Sequence, residues 1–571
     1  AGYAKGTTVI TLSSTTNLQV GTLLILDQVN DSNSDTGTIW VNSTVNISST
    51  EGPGGFGRTT REQTQIVRVT AINGNNITIS PGLYMPNWRS GQNPGAWWSS
   101  DTPISGSGIE DLALIHTGSA ASSGIVFYNA YSCWVKNVKS VHSNRNHVWL
   151  YQVHHIGIRD NYFYGTQNAA SQSYGVESAT SSDDLIENNI FEKVTSPMIA
   201  NGGAQGEVYG YNYATNHFYT VSPAWMQNSP DFHAAGAALI LAEGNDSTSG
   251  PVADTVHGTA HFLTFFRNRF QGKEPGKTDH TIATNLYAFV RYCNVVANVL
   301  GDNAWHDTYQ SLPPSGPNGN TTAIYSLGWS GNGETFGSIP DDLLTSQTLM
   351  RWGNYDTVNA ANRFVAGEVP SGDANYPNSV PGNQTLINSY YLASKPGFMG
   401  NLAWPPIGPD VTGGDVSGVG GHAYKIPARV CYETTSQTGG ILNFDYPTCY
   451  AAISGGGGGV ATLSIPSVYT FANTRPGVAA TYNASVINTG NASLTVNSVT
   501  VTGNTKNFSQ SSSCGVLAPS ASCIITITFV AHTAGAMTQA TISVGTTVNG
   551  PSATLNGTGI TIPSAPTPGA Y

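Results

Sequence analysis

Between Glu243 and Arg269 the chain concentrates groups that exchange protons and bind anions. Asp254, His257, His261, Arg267 and Arg269 all fall within 16 residues. A carboxylate beside an imidazole can move a proton, and a guanidinium grips a carboxylate. Together they would suit cleavage of an acidic sugar polymer. In that reading Asp254, His257 and Arg267 carry the chemistry. Asp231 and His233, from the preceding segment, would close over them. Trp225, His261 and Arg269 would hold substrate. The same residues also fit a structural corner, with Asp254 and His257 serving backbone groups and Arg267 pairing with Glu243. Both readings stand open on the sequence alone. Further aromatics (Trp88, Trp97, Trp98, Trp305, Tyr162, Tyr164) would offer faces for sugar rings.

Such groups need a scaffold, and an internal repeat supplies one. An asparagine followed by apolar residues recurs in VKNV, RDNYF, ENNIF, GYNYA, AEGN, FRNRF and VANVL. The asparagines are Asn137, Asn161, Asn189, Asn212, Asn245, Asn268 and Asn298, spaced by 24, 28, 23, 33, 23 and 30 residues. A base of 23 with variable additions fits a β-solenoid, each coil three short strands with insertions bulging at corners. Asparagine tolerates the left-handed corner, and stacked side-chain amides bond from coil to coil. The ladder is therefore read as structural. Ile158, Ile186, Val208, Phe265 and Val295 would fill the tube.

The predicted organisation has five parts. Residues 1–100 form strands and a cap, with a polar, Gly-rich loop over 30–62. Residues 101–453 form the solenoid, with a large irregular insertion at 303–380. A Gly-rich linker covers 454–459. Residues 460–558 alternate through about seven short strands, the pattern of a β-sandwich. A Pro-rich tail covers 559–571. An edge strand of the sandwich, or an open solenoid end, could accept that tail from a neighbouring copy. Head-to-tail self-association through termini would then build a filament.

Composition narrows the partners. Only 10% of the 571 residues are charged, against about 25% in a typical domain. The net charge is −11, and no basic run exists, which disfavours nucleic acid and anionic membrane surfaces. No apolar stretch is long enough to span a membrane. The opening Ala1-Gly2-Tyr3 predicts a mature end left by signal cleavage, hence a secreted or cell-surface protein. Cys431/Cys449 and Cys514/Cys523 are close pairs, expected as disulfides in an oxidising compartment. Neither has zinc-ligand spacing, so no metal site is expected. Cys133 and Cys293 stand alone in apolar runs and are expected to be buried thiols.

The Asn-punctuated coils resemble the pectate-lyase-like right-handed parallel β-helix superfamily. The phrase NFSQSSSCGVLAPSASCIITITFVAHTAGAMTQATISV resembles choice-of-anchor-D and related Ig-like modules. Together the two resemblances imply an all-β fold, a right-handed parallel β-helix followed by an Ig-like β-sandwich. The first also implies polysaccharide as a partner, and calcium as the cation a pectate lyase would use. The lyase Arg-x-Pro-x-x-Arg motif and the polygalacturonase motif set are absent, which counts against a pectin-cleaving role. Two functions follow as expectations. One is a structural or adhesive subunit of an extracellular fibre or surface layer, facing carbohydrate. The other is a polysaccharide lyase or glycoside hydrolase with an accessory module.

Overall fold

A computed structural model describes residues 2–30, 58, 60–118, 122–169, 173–314, 319–330, 340–372, 377–451, 453, 463–489, 494–518, 521–546 and 551–561. Most of the 30–62 loop, the Gly-rich linker and the tail from 562 lie outside them. The chain divides into two units, residues 1–395 with 402–450, and residues 396–401 with 451–571. The first is a right-handed parallel β-helix, the second an Ig-like sandwich.

Each coil of the helix contributes one strand to a long parallel sheet and two short strands to a second region on either side of a corner. At that corner lies the amide ladder. Asn161 Nδ2 donates to Asn189 Oδ1 at 2.9 Å, and the pattern continues through Asn212, Asn245, Asn268, Asn298 and Asn354 at 2.9–3.1 Å. Each Oδ1 also accepts the backbone N–H of the preceding ladder residue. The second Nδ2 hydrogen reaches a strand carbonyl, as from Asn212 to Ile186. Every polar atom of a buried amide is thus used.

The ladder corrects the sequence reading in three places. Asn137 is not a rung. Its place is taken by Val138, whose N–H donates to Asn161 Oδ1. The left-handed residue precedes the rung: Asn137, Asp160, Asn188, Tyr211, Arg267 and Ala297 all have φ between 50° and 60°. The corner therefore needs two residues, and Asn137 plays the other part. Secondly, Val208 is only half-buried, and Tyr209 fills the tube instead, paired with Ile186. A one-residue slip exchanges the two faces of a strand. Ile158, Ile186, Phe265 and Val295 do line the core. Thirdly, the supposed insertion contains coil. Strands Ala323–Leu327, Met350–Trp352 and Asn354–Asp356 continue the parallel sheets, and Asn354 is the last rung. A gap of 56 residues from Asn298 hid the register.

An antiparallel five-stranded sheet, Val9–Thr11 to Gly95–Trp97, packs beside the long sheet. Thr64 donates to Gly203 O, and Ser182 Oγ accepts from Ile66 N. After the last coil the chain turns back. Residues 402–450 run as a strap over the ladder side, from the last coils towards the first. Asp410 binds Arg267, Arg429 binds Asp246 at 2.9 Å, and Tyr432 donates to Glu192. Leu442 N reaches Tyr162 OH, and Tyr446 N reaches Asn137 Oδ1. The Cys431–Cys449 disulfide therefore sits in this strap along the flank, not across an open solenoid end. Tyr162 and Tyr164 lie buried beneath it and present no face to a sugar. Cys133 and Cys293 are buried free thiols.

Inside the long helix, Glu207 is fully buried, accepting from Tyr209 OH at 2.8 Å and from Ser181. Burial pushes its pKa up to about 7. The folded chain holds this proton where the unfolded chain has lost it. Stability from Glu207 is therefore present below pH ~4.5 and falls as pH rises through 7. Buried His147, pushed down to about 3, acts in the opposite direction below its ordinary range. The Glu207 charge also raises the buried Asp184 carboxyl, so comparison with Glu207→Gln reads the two carboxyls together. The melting temperatures should match near pH 4, and the variant should gain steadily on the wild type between pH 5 and 7.

The sandwich packs a four-stranded sheet, built on Ala479–Asn488 and Ser522–Val530, against a five-stranded one containing Leu494–Gly503 and Ala540–Thr546. Phe471, Phe508, Phe529 and Ile527 lie in its core. Cys514 and Cys523 are bonded.

Candidate functional site

Alternation along two neighbouring strands of the long sheet builds the site. In Asp231–Ala234, Phe232 points into the tube and is fully buried. Asp231 and His233 therefore share the outer face. In Val252–His257, Ala253 points inward, so Asp254 faces out beside them. The pairing Phe232 to Ala253 is followed by Ala234 to His257. Three residues, 254–256, thus stand opposite His233 alone. This bulge re-aims the strand end, a device found beside active sites, and swings His257 towards His233.

The result is a compact polar cluster. His233 Nδ1 and Asp254 Oδ2 are 2.6 Å apart. The His257 ring meets the His233 ring edge-on, centroids 4.9 Å apart. Asp231, His233 and Asp254 each place a donor atom within 4.8 Å of the other two. Asp231 Oδ2 accepts from Ser196 Oγ at 2.9 Å, while its Oδ1 is buried with no hydrogen-bond partner. Burial, reinforced by the Asp254 charge and opposed by His233, pushes Asp231 up to about 6. Burial drives His257 down to about 4. Two carboxylates and two imidazoles in one partly dry site can move protons or hold a cation.

Trp225 stands nearby, stacked on His280 at 4.4 Å. His280 Nδ1 donates to Met226 O, leaving Nε2 to accept from Asn285. Further along the same outer face, Glu177 binds Arg145, Asn146 and Asn201. Three strands from the Asp231 strand, Trp149 stacks on Tyr151 and Tyr151 on Tyr128, with centroids 5.1 and 5.3 Å apart.

The structure brings Asp231, His233, Asp254 and His257 together, with Trp225 beside His280. It does not bring the arginines. Arg267 lies at the ladder corner, 1% exposed, held by Asp410 at 2.7 and 2.8 Å and by the carbonyls of Ile387 and Ile407. Its partner is not Glu243, which instead accepts from Tyr390 N. Arg269 binds Asp246 and Gln271. His261 is buried at the next corner, bridging Ala238 and Arg291. Sequence proximity misled here because half a coil separates the long sheet from the ladder side. His280, Ser196, Asn201 and Glu177 were missed. Polar residues alternating with apolar ones in Asp231-Phe-His233 and Asn285-Leu-Tyr287 were the available signal. Arg267→Ala should cost about 1–3 kcal/mol, through the orphaned carbonyl of buried Ile407, since Asp410 stays in contact with solvent, read by thermal melting, and leave any glycan activity unchanged.

Residues 461–559 match the HYDIN/CFA65/VesB-like Ig-like domain family. No match was found among curated proteins. Among solved structures, the chain is similar to the secreted serine protease VesC from Vibrio cholerae, with 24% identity and a TM-score of 0.15, over 17% of this chain and 23% of that one. It thus spans under a quarter of that protease. It is also similar to the tailspike protein gp49 from Pseudomonas phage LKA1, with 12% identity and a TM-score of 0.37, over 92% and 77% of the two chains. The gp54 tailspike of Acinetobacter baumannii bacteriophage AP22, solved with a capsular saccharide, gives 11% identity and a TM-score of 0.25, over 62% of each chain. Among the described residues, no helix is long and apolar enough to cross a membrane.

Proposed function

We propose that this is an extracellular carbohydrate-active β-helix, which lays a polysaccharide along the outer face of its long sheet and cleaves it. The observation that carries the reading is the convergence of Asp231, His233, Asp254 and His257 from adjacent coils. Proton transfer to or from a glycosidic linkage needs such groups within hydrogen-bond reach of one another. Tyr128, exposed on the same face and stacked on the buried Tyr151, gives a sugar ring a platform. The two disulfides suit an oxidising compartment. Incubation with a panel of acidic and neutral polysaccharides tests this. New reducing ends would support hydrolysis, and an ultraviolet-absorbing unsaturated product would support elimination. No cleavage of any member would overturn the reading.

A second reading, the fibre or surface-layer subunit, rests on one feature of the sandwich. Strand Ala479–Asn488 pairs fully with Ser522–Val530 on one side, but on the other only Ile487 and Asn488 are paired, with Leu463–Ser464. Residues 479–486 present an open edge among the described residues. Open edges accept added strands from other chains. Concentration-dependent filaments under electron microscopy, lost on removal of residues 562–571, would support that role. Monodisperse particles at every concentration would remove it.

A further inference from the structure

The three-residue cluster on the outer face is short of positive charge. Asp231 and Asp254 lie together with one imidazole between them, and the cationic side chains predicted for this place are elsewhere. Two buried oxygens add to the imbalance. Asp231 is 4% exposed, and its Oδ1 has no partner. Asn201 is 3% exposed and uses its Nδ2 on Glu177, while its Oδ1 is also unpartnered. Asn201 follows Ala200, which pairs with Phe232, so it lies beside His233 on the same face. A buried acceptor left empty costs about 1–3 kcal/mol. Two such acceptors beside two carboxylates mark a place where a positive ion would satisfy what the protein does not.

We infer that Asp231, His233 and Asp254 hold a divalent metal ion of the zinc or manganese class, with Asn201 Oδ1 and water completing its shell. The donor set decides the class. Calcium takes roughly six to eight oxygens, and an imidazole among three protein ligands does not suit it. Mixed imidazole and carboxylate donors suit first-row transition metals. The ligand atoms already lie within 4.8 Å of one another. Side-chain rotations of about 1 Å would bring them to bonding distance, roughly 2.0–2.2 Å from a central ion. The ion would take the place of the proton now lying between His233 Nδ1 and Asp254 Oδ2. His257, edge-on to His233, would stand beside the ion. The inference rests on this face being the working site, and not on cleavage itself.

Untagged full-length protein, stripped with chelator, would be dialysed separately against micromolar Zn²⁺, Mn²⁺ or Ca²⁺ and its ion content measured. Wild type should retain close to one Zn²⁺ or Mn²⁺ per chain and no Ca²⁺. His233→Ala and the isosteric double variant Asp231→Asn/Asp254→Asn should bind at least tenfold more weakly. Their circular dichroism without metal should match wild type. No retention by wild type, or equal retention by both variants, would overturn the inference. Ion binding without cleavage of any glycan would sustain it and sink the cleavage reading. Cleavage unaffected by complete metal removal, with no ion retained, would do the reverse.

Discussion

Asn212→Ala is expected to destabilise the β-helix by about 3–5 kcal/mol, seen as a large fall in the thermal midpoint. The substitution removes one acceptor and two donated bonds from a buried corner. Asn189 loses the Oδ1 that now takes both its N–H and its Nδ2 hydrogen. Ile186 O and Asn245 Oδ1 each lose a donor. Each buried orphan costs about 1–3 kcal/mol. Asn212→Asp tests the directionality. Its carboxylate can still accept from Asn189 but cannot donate to Ile186, and it buries a charge, so it should fare no better. Asn137→Ala, outside the ladder and half-exposed, should cost about 1–2 kcal/mol, from the left-handed corner that Ala tolerates poorly and the lost acceptor of the Tyr446 N–H. Equal costs at 137 and 212 would contradict the assignment of rungs.

Under the proposed cleavage of a polysaccharide, Asp254→Asn and His257→Ala should each lower its rate by about 10²–10⁴-fold, the contribution of a positioned acid or base. Their origins should differ. Asp254 holds His233 through the 2.6 Å contact, so its loss disorders the neighbouring imidazole as well. His257 has its ring against His233, and its removal leaves the His233–Asp254 pair in place. The loss in the double variant should be much smaller than the product of the two single losses, as groups acting as a unit behave. Circular dichroism and melting of both variants should stay near wild type. A loss confined to Arg267 or Arg269 variants would place the chemistry on the ladder side instead.

Much of this architecture was legible because it repeats. A rung of the same residue type every coil is visible at any insertion length up to about ten residues, and four of the inward apolar positions followed from it. The errors came where period-2 alternation had to be fixed by one residue, as at Asn137 and Val208, or where 56 residues separated two rungs. The candidate site was half legible. Asp231, His233 and Asp254 share one face because strands in adjacent coils stack in register, and a bulge swings His257 to them. Arg267 and Arg269 follow within a few residues, yet a coil turns its back between them and His257. Linear nearness measures distance well within a strand and badly around a corner. The Pro-rich wrap over 386–430 was legible, but its course along the flank was not, since its partners are contacts of single side chains with no repeating pattern.

That strap also dictates an order of events during synthesis. Its residues leave the ribosome after every coil is complete, and they close on coils in reverse. Asp410 meets a partner 143 positions back, Arg429 one 183 back, Tyr432 one 240 back, Leu442 one 280 back and Tyr446 one 309 back. The earliest coils, with Tyr162 and Glu192 on their flank, must wait longest for their cover. Such distant pairings are slow to form, and surfaces left open meanwhile invite aggregation. Chains halted before residue 402 should therefore hold their parallel coils yet stick to one another, and release of the final fifty residues of this unit should end that stickiness in a single late step.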